Sequence, residues 1–140
     1  MSGTGFAPFT ATIDKTNQML HEIEKAFGWP RERRNQSYAA LRGVLHALRD
    51  RLTVHEAAQL GAQLPMLVRG VYYEGWRPAD VPIKMHHDEF VDRVRHDFVY
   101  DADVDEVVRT VLKVLRAHIT DGEWEDVKAS MPKDLADVLP

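Results

Sequence analysis

The stretch Tyr38-Ala39-Ala40-Leu41-Arg42-Gly43-Val44-Leu45-His46-Ala47-Leu48-Arg49-Asp50-Arg51-Leu52-Thr53-Val54-His55-Glu56 decides the fold class. Tyr38, Leu41, Leu45, Leu48 and Leu52 recur at three- and four-residue steps in a background of Ala, Leu and Arg. That spacing predicts an amphipathic helix from about Arg33 to Leu52, interrupted by a single glycine, Gly43. Thr53-Val54-His55-Glu56 then has the form of a capping box, in which the hydroxyl accepts the N–H three residues on and the carboxylate reaches back. A new helix therefore starts at Thr53. It turns Ala57, Leu60 and Leu64 inward and stops at Pro65, whose fixed φ and missing N–H suit the first turn of a short further helix to about Tyr73.

Toward the N-terminus, Ile13, Thr16, Leu20, Ile23 and Phe27 form an earlier amphipathic stripe, closed by Gly28 and Pro30. Residues 1–12 mix Ser, Gly, Thr, Phe and Pro without the basic start and apolar run of a secretory signal, and are expected to be a flexible arm. Toward the C-terminus, residues 74–85 contain Gly75, Pro78 and Pro82 and show no period, as expected of a linker loop. Phe90, Val94 and Phe98 then mark a short helix, and Val104, Val108, Val111, Leu112, Leu115 and Ile119 a longer one. The valines space at helical rather than alternating steps, and Asp101, Asp103, Asp105 and Glu106 suit the positive end of that helix dipole. Thr120-Asp121-Gly122-Glu123 is a second capping-box pattern, followed by Trp124, Val127 and Met131, then Pro132 and a last turn.

The two boxes and their prolines lie at one constant offset of 67 residues. Residues 41–72 laid over 108–139 without a gap give ten identities in 32 columns, among them Arg42/Arg109, Leu48/Leu115, Thr53/Thr120, Glu56/Glu123 and Pro65/Pro132. The preceding helices match through Met19/Phe90, Ile23/Val94 and Phe27/Phe98 at an offset of 71. The fold expected is all-α: a bundle of two tandem related four-helix repeats, residues 13–73 and 86–140, packed with pseudo-twofold symmetry into one domain. Either repeat alone is too small to bury much surface.

With 140 residues, 44% hydrophobic and 29% charged, the composition is that of a globular chain. The absence of cysteine excludes disulfides, a thiolate nucleophile and cysteine-based metal sites. No apolar run reaches transmembrane length, and a cytoplasmic location is expected. The net charge of −4 opposes general nucleic-acid binding, yet it is uneven. Residues 1–70 hold 9 basic and 6 acidic side chains, residues 71–140 hold 9 and 16, so the halves carry +3 and −7. Arg31, Arg33 and Arg34 are the candidate nucleic-acid contacts, and the asymmetry also suits association of copies, half to opposite half.

Among ligand-type residues, His86-His87-Asp88-Glu89 offers nitrogen and oxygen donors. Adjacent helical side chains nevertheless diverge by about 100°, so a polar first helical turn is the simpler expectation. A metal site between helices would draw on His46, His86 and His87. Arg69, Tyr72, Tyr73, Trp76 and Arg77 concentrate at a helix end that the second repeat does not reproduce, and form the candidate ligand or partner surface, against the plainer expectation that they fold the linker onto the repeat seam. There is no Gly-x-Ser-x-Gly elbow, no phosphate-binding glycine loop and no His-Glu-x-x-His, so no catalytic residue is assigned and no cofactor is implied.

The run Ala40–Leu52, with Glu56-Ala57-Ala58-Gln59-Leu60-Gly61-Ala62-Gln63-Leu64-Pro65 and Arg69-Gly70-Val71-Tyr72-Tyr73-Glu74-Gly75-Trp76, closely resembles the bacterial domain of unknown function 2267 family. The resemblance extends from about Thr16 to the C-terminus. It implies an all-helical, two-repeat bacterial protein and supplies no established activity, cofactor or catalytic residue; some relatives sit beside stress-response genes. The function expected is a non-enzymatic interaction or stress-associated module, acting as a homo-oligomer or with a protein partner. The alternatives are a small-molecule or metal-binding protein with its site between the repeats, and a nucleic-acid binder using the basic first half.

Overall fold

Two helices with continuous apolar faces organise the chain. In α2 (Arg34–Arg51), Val44, Leu45, Ala47 and Leu48 are fully buried; in α6 (Val104–Ala117), Val107, Val108, Val111, Leu112 and Leu115 are. They pack on one another, and the chain winds the remaining helices around them. The computed structural model describes residues 5–140, which hold eight α-helices and no strand. The others are α1 (Ala7–Phe27), α3 (Val54–Gln63), α4 (Met66–Tyr73), α5 (His87–Val94), α7 (Asp121–Ala129) and α8 (Lys133–Ala136). α5 lies against α2, α1 against α6, and α3 against α7, while α4 packs on α1 and α2 and α8 on α5.

α1 begins at Ala7, six residues before the stripe that marks it in the sequence. Pro8 occupies its first turn, where an N–H would have no helical partner. The Phe6 carbonyl accepts from the N–H groups of Phe9 and Thr10 at 3.0 and 2.9 Å. Phe6 and Phe9 stay exposed, so these turns show no buried face for periodicity to report. The expected arm over residues 1–12 is thus helical from Ala7, and its residues 1–4 lie outside the described residues. At the other end Gly28 takes the left-handed conformation, φ +70°, and Trp29 N–H returns to Glu24 O at 2.9 Å.

α5 ends at Val94, so Phe98 lies beyond the helix expected to carry it, though it is buried. The linker contains a 3-10 turn, Pro78–Asp80, and is pinned to α2 by a bond from Ile83 N–H to Asp50 O at 2.7 Å.

The capping boxes are realised unequally. Thr53 Oγ1 accepts from Glu56 N–H at 3.2 Å and Glu56 Oε1 accepts from Thr53 N–H at 3.0 Å. Thr120 Oγ1 likewise accepts from Glu123 N–H at 3.4 Å, but the Thr120 N–H turns to Gln63 Oε1, at 3.3 Å, across the chain. In the opposite sense, the Ser130 hydroxyl at the end of α7 donates to the Glu56 carboxylate at the start of α3. Gln63 and Ser130 stand 67 residues apart, the offset of the boxes themselves.

Candidate functional site

α2 places Arg42, His46, Arg49 and Asp50 on neighbouring turns, facing the C-terminal ends of α4 and α5. The last carbonyls of a helix have no intrahelical donors, and these side chains supply them. His46 Nε2 lies 2.8 Å from Val71 O; because a carbonyl only accepts, Nε2 carries the proton. Arg49 Nη1 donates to Tyr72 O at 2.9 Å and to Glu74 O at 2.8 Å.

Behind this, Asp50 accepts from Arg49 Nε at 2.8 Å and from Arg93 Nη2 at 3.1 Å. Asp97 gathers Arg42 Nε at 3.4 Å and Arg93 Nη1 at 3.7 Å and lies 3.2 Å from His46 Nδ1, which donates to it only when the ring is protonated, while Arg42 also pairs with Glu74. Burial pushes the His46 pKa down; the Val71 carbonyl pulls it up, Arg49 pushes it down, and Asp97 pulls it up. The network ties α2 to α4, the linker and α5 with both signs of charge matched.

The aromatic cluster at the end of α4 sits beside that network. Tyr72 is fully buried, its hydroxyl donates to Ala57 O at 2.8 Å, and burial pushes its pKa up. Tyr73 contacts the rings of Tyr72 and Trp76 at centroid distances of 4.9 and 5.3 Å. The Trp76 Nε1–H is buried without an acceptor among the described residues. Arg69 caps α3, donating through Nε to Gly61 O at 2.8 Å and through Nη2 to Leu64 O at 2.9 Å. Of these five residues Arg77 alone is largely exposed at its side chain, 81%, and it pairs with Asp80 at 2.8 Å.

His86 and His87 form the cap and first residue of α5, and their rings diverge. His86 Nδ1 meets Asp134 at 3.1 Å, which raises the His86 pKa, and His87 pairs with Asp105. His46 is held in the network described above, on a different helix. Among the described residues no group of three or more His, Asp or Glu side chains is arranged to hold a metal ion. Arg34 forms a two-pronged pair with Glu24, at 3.0 and 2.9 Å. With Arg31 it lines a broad open groove of about 850 Å³ that also presents Asp14 and Glu24; Arg33 is exposed.

Sequence reasoning missed one surface. Where α1 crosses α4, Phe9, Thr12, Ile13, Met66, Leu67 and Gly70 line an apolar groove of about 370 Å³. Phe9, Met66 and Leu67 line it at 48, 55 and 44% exposure, and Phe6, 57% exposed, sets its ring edge-on against Phe9. Thr12 Oγ1 accepts from Leu67 N–H at 2.8 Å and fixes the crossing. The signal available was Phe6 and Phe9 at i and i+3 with Pro8 between them, a first helical turn rather than an arm.

Residues 16–138 match the family of uncharacterized conserved proteins DUF2267. The chain belongs to this family. No curated protein matches it. The DUF2267 match takes in α2 to α8 whole and leaves the first turns of α1 outside it, so Phe9, Thr12 and Ile13, one wall of the groove, lie outside the matched region. No helix among the described residues is long and apolar enough to cross a membrane.

Proposed function

We propose that this DUF2267 chain is a non-enzymatic interaction module made of two related four-helix repeats, and that its partner at the α1/α4 groove is a second copy of itself. The observation that carries the reading is an exposed apolar groove bordered by exposed aromatic rings. The patch offers protruding rings, Phe6 and Phe9, next to an apolar depression over Gly70, where a Cβ would meet nothing within 4 Å. A patch that is both knob and hole closes on itself about a twofold axis, which is the commonest symmetry of soluble oligomers. Solvent-exposed apolar clusters of this kind mark association surfaces.

Support for the repeat architecture comes from the pairings. α1 packs on α6 as α5 packs on α2, α4 on α1 as α8 on α5, and α3 meets α7 with reciprocal end contacts through Gln63 and Ser130. A twofold axis exchanging the halves requires this pattern.

Analytical ultracentrifugation across a concentration series tests the reading. A dimer is expected for the unaltered chain and a monomer, with an unchanged circular dichroism spectrum, for Leu67→Glu and Phe9→Glu, both at exposed positions. A monomer at every concentration, or a dimer that both substitutions leave intact, overturns it.

A further inference from the structure

Without cysteine, the sulfur chemistry of this chain belongs to its thioethers. Of the five methionines, Met1 lies outside the described residues. Met19, Met85 and Met131 belong to the core, at 0, 5 and 8% exposure, whereas Met66 is 55% exposed. Met66 lines the α1/α4 groove with Phe9 and Leu67. A two-electron oxidant in solution therefore has free access to one methionine among the described residues, and that one stands on the apolar surface read above as the contact between copies.

The position itself tolerates polarity. Met66 is the first residue of α4, directly after Pro65, and Lys133, 67 residues on, is the first of α8, directly after Pro132. Lys133 is exposed, so the same place in the second half carries a charged side chain at the start of a formed helix. An oxygen added to the Met66 sulfur is met by water in the single chain and leaves the core untouched. Oxidation turns a flexible apolar side chain into a polar one. Covered by an apolar partner surface, the new oxygen is an acceptor without a donor, which opposes the contact. A twofold contact contains two such positions, so the effect enters twice.

We propose that Met66 is an oxidative modification site through which a hydroperoxide separates the two copies, an inference that rests on the dimer reading above. The sulfur lone pair attacks one peroxide oxygen; the S–O bond forms as the O–O bond breaks, and the proton of the transferred oxygen leaves with the departing hydroxide as water. Sulfur is oxidised by two electrons and the peroxide is reduced by two. Because the dimer covers Met66, the oxidant acts on the separated chain and draws the equilibrium toward it. Reductases specific for the two sulfoxide epimers reverse the change.

Hydrogen peroxide treatment of the full chain, with peptide mass spectrometry and analytical ultracentrifugation on the same samples, tests this. Oxygen is expected on the Met66 peptide before the Met19, Met85 and Met131 peptides. The oxidised chain should dimerise about 100-fold more weakly, roughly tenfold for each sulfoxide, with its circular dichroism spectrum unchanged. Met66→Leu, which keeps the apolar surface without the sulfur, should dimerise alike before and after peroxide, and enzymatic reduction of the oxidised unaltered chain should restore its dimer. A chain that is monomeric before treatment removes the dimer reading and this proposal with it. A chain that is dimeric before treatment and equally dimeric with Met66 oxidised overturns the proposal alone, as does a dissociation that Met66→Leu shares or that comes with loss of helical signal.

Discussion

The ring of Tyr73 fills the space that a side chain at Gly61 would take: a Cβ built at Gly61 comes within 2.8 Å of Tyr73 Cζ and closer still to the hydroxyl. Gly61 lies inside α3, where alanine would ordinarily be favoured by about 1 kcal/mol. Here Tyr73 is itself wedged against Tyr72 and Trp76 and has little room to retreat. Overpacking of this kind costs about 1–3 kcal/mol, so Gly61→Ala should destabilise the chain by about 1 kcal/mol net. Gly70→Ala, over open space in α4, should stabilise it by about 0.5–1 kcal/mol. Urea unfolding of the two variants compares them directly; equal effects would remove the argument.

The two threonine caps should differ in strength. Thr53 takes part in a full reciprocal box, whereas the Thr120 N–H depends on Gln63. Thr53→Ala should cost about 1–2 kcal/mol and Thr120→Ala about 0.5–1 kcal/mol, within the range of measured caps. Thermal unfolding that ranks them the other way would contradict the geometry.

Glu24 is 2% exposed and accepts from both Arg34 and Ser37. The hydrogen-bonded Arg34 guanidinium holds its carboxyl below the ordinary value of 4.5 against the opposing effect of burial, with further help from Ser37. A depressed carboxylate contributes stability that is present above the unfolded-state pKa and lost as pH falls through the folded one. Stability should therefore decline below about pH 4.5, and Glu24→Gln should flatten that decline while costing about 1–3 kcal/mol at neutral pH. Denaturant titrations at stepped pH would show a parallel acid limb in both proteins if Glu24 played no part.

His46 acts in a higher window. Burial holds its folded pKa below 6.5, so between that folded value and 6.5 the unfolded chain binds the extra proton. Stability should rise with pH across this interval and level off above it. His46→Gln should abolish the slope there; a slope that survives would assign it to another group.

Much of this was legible from spacing alone. Leu41, Leu45 and Leu48 report a buried helical face through their three- and four-residue steps, and Thr53 and Glu56 announce a cap through purely local bonds. What spacing could not convey was distance across the fold. Gly43 reads as a weak helical residue, yet a Cβ there would lie 3.0 Å from Val94 O, so it admits the close approach of α5 to α2. Tyr72, Tyr73 and Trp76 read equally well as a surface or as packing, because a string of aromatics does not say which way it faces; burial of Tyr72 and its bond to Ala57 lie in the tertiary contacts. The α1/α4 groove escaped notice because its apolar residues come from segments more than 50 positions apart, Phe9 to Ile13 and Met66 to Gly70.

The exchange of end groups between α3 and α7 bears on how the chain comes apart. Thr120 depends on Gln63 for its N–H, and Glu56 receives the Ser130 hydroxyl, so each half completes a helix start in the other. Opening either half strips a hydrogen bond from its counterpart at the moment its own apolar face is exposed. The two sets of four helices should therefore lose protection together, and hydrogen exchange with matched rates in α3 and α7 would show it.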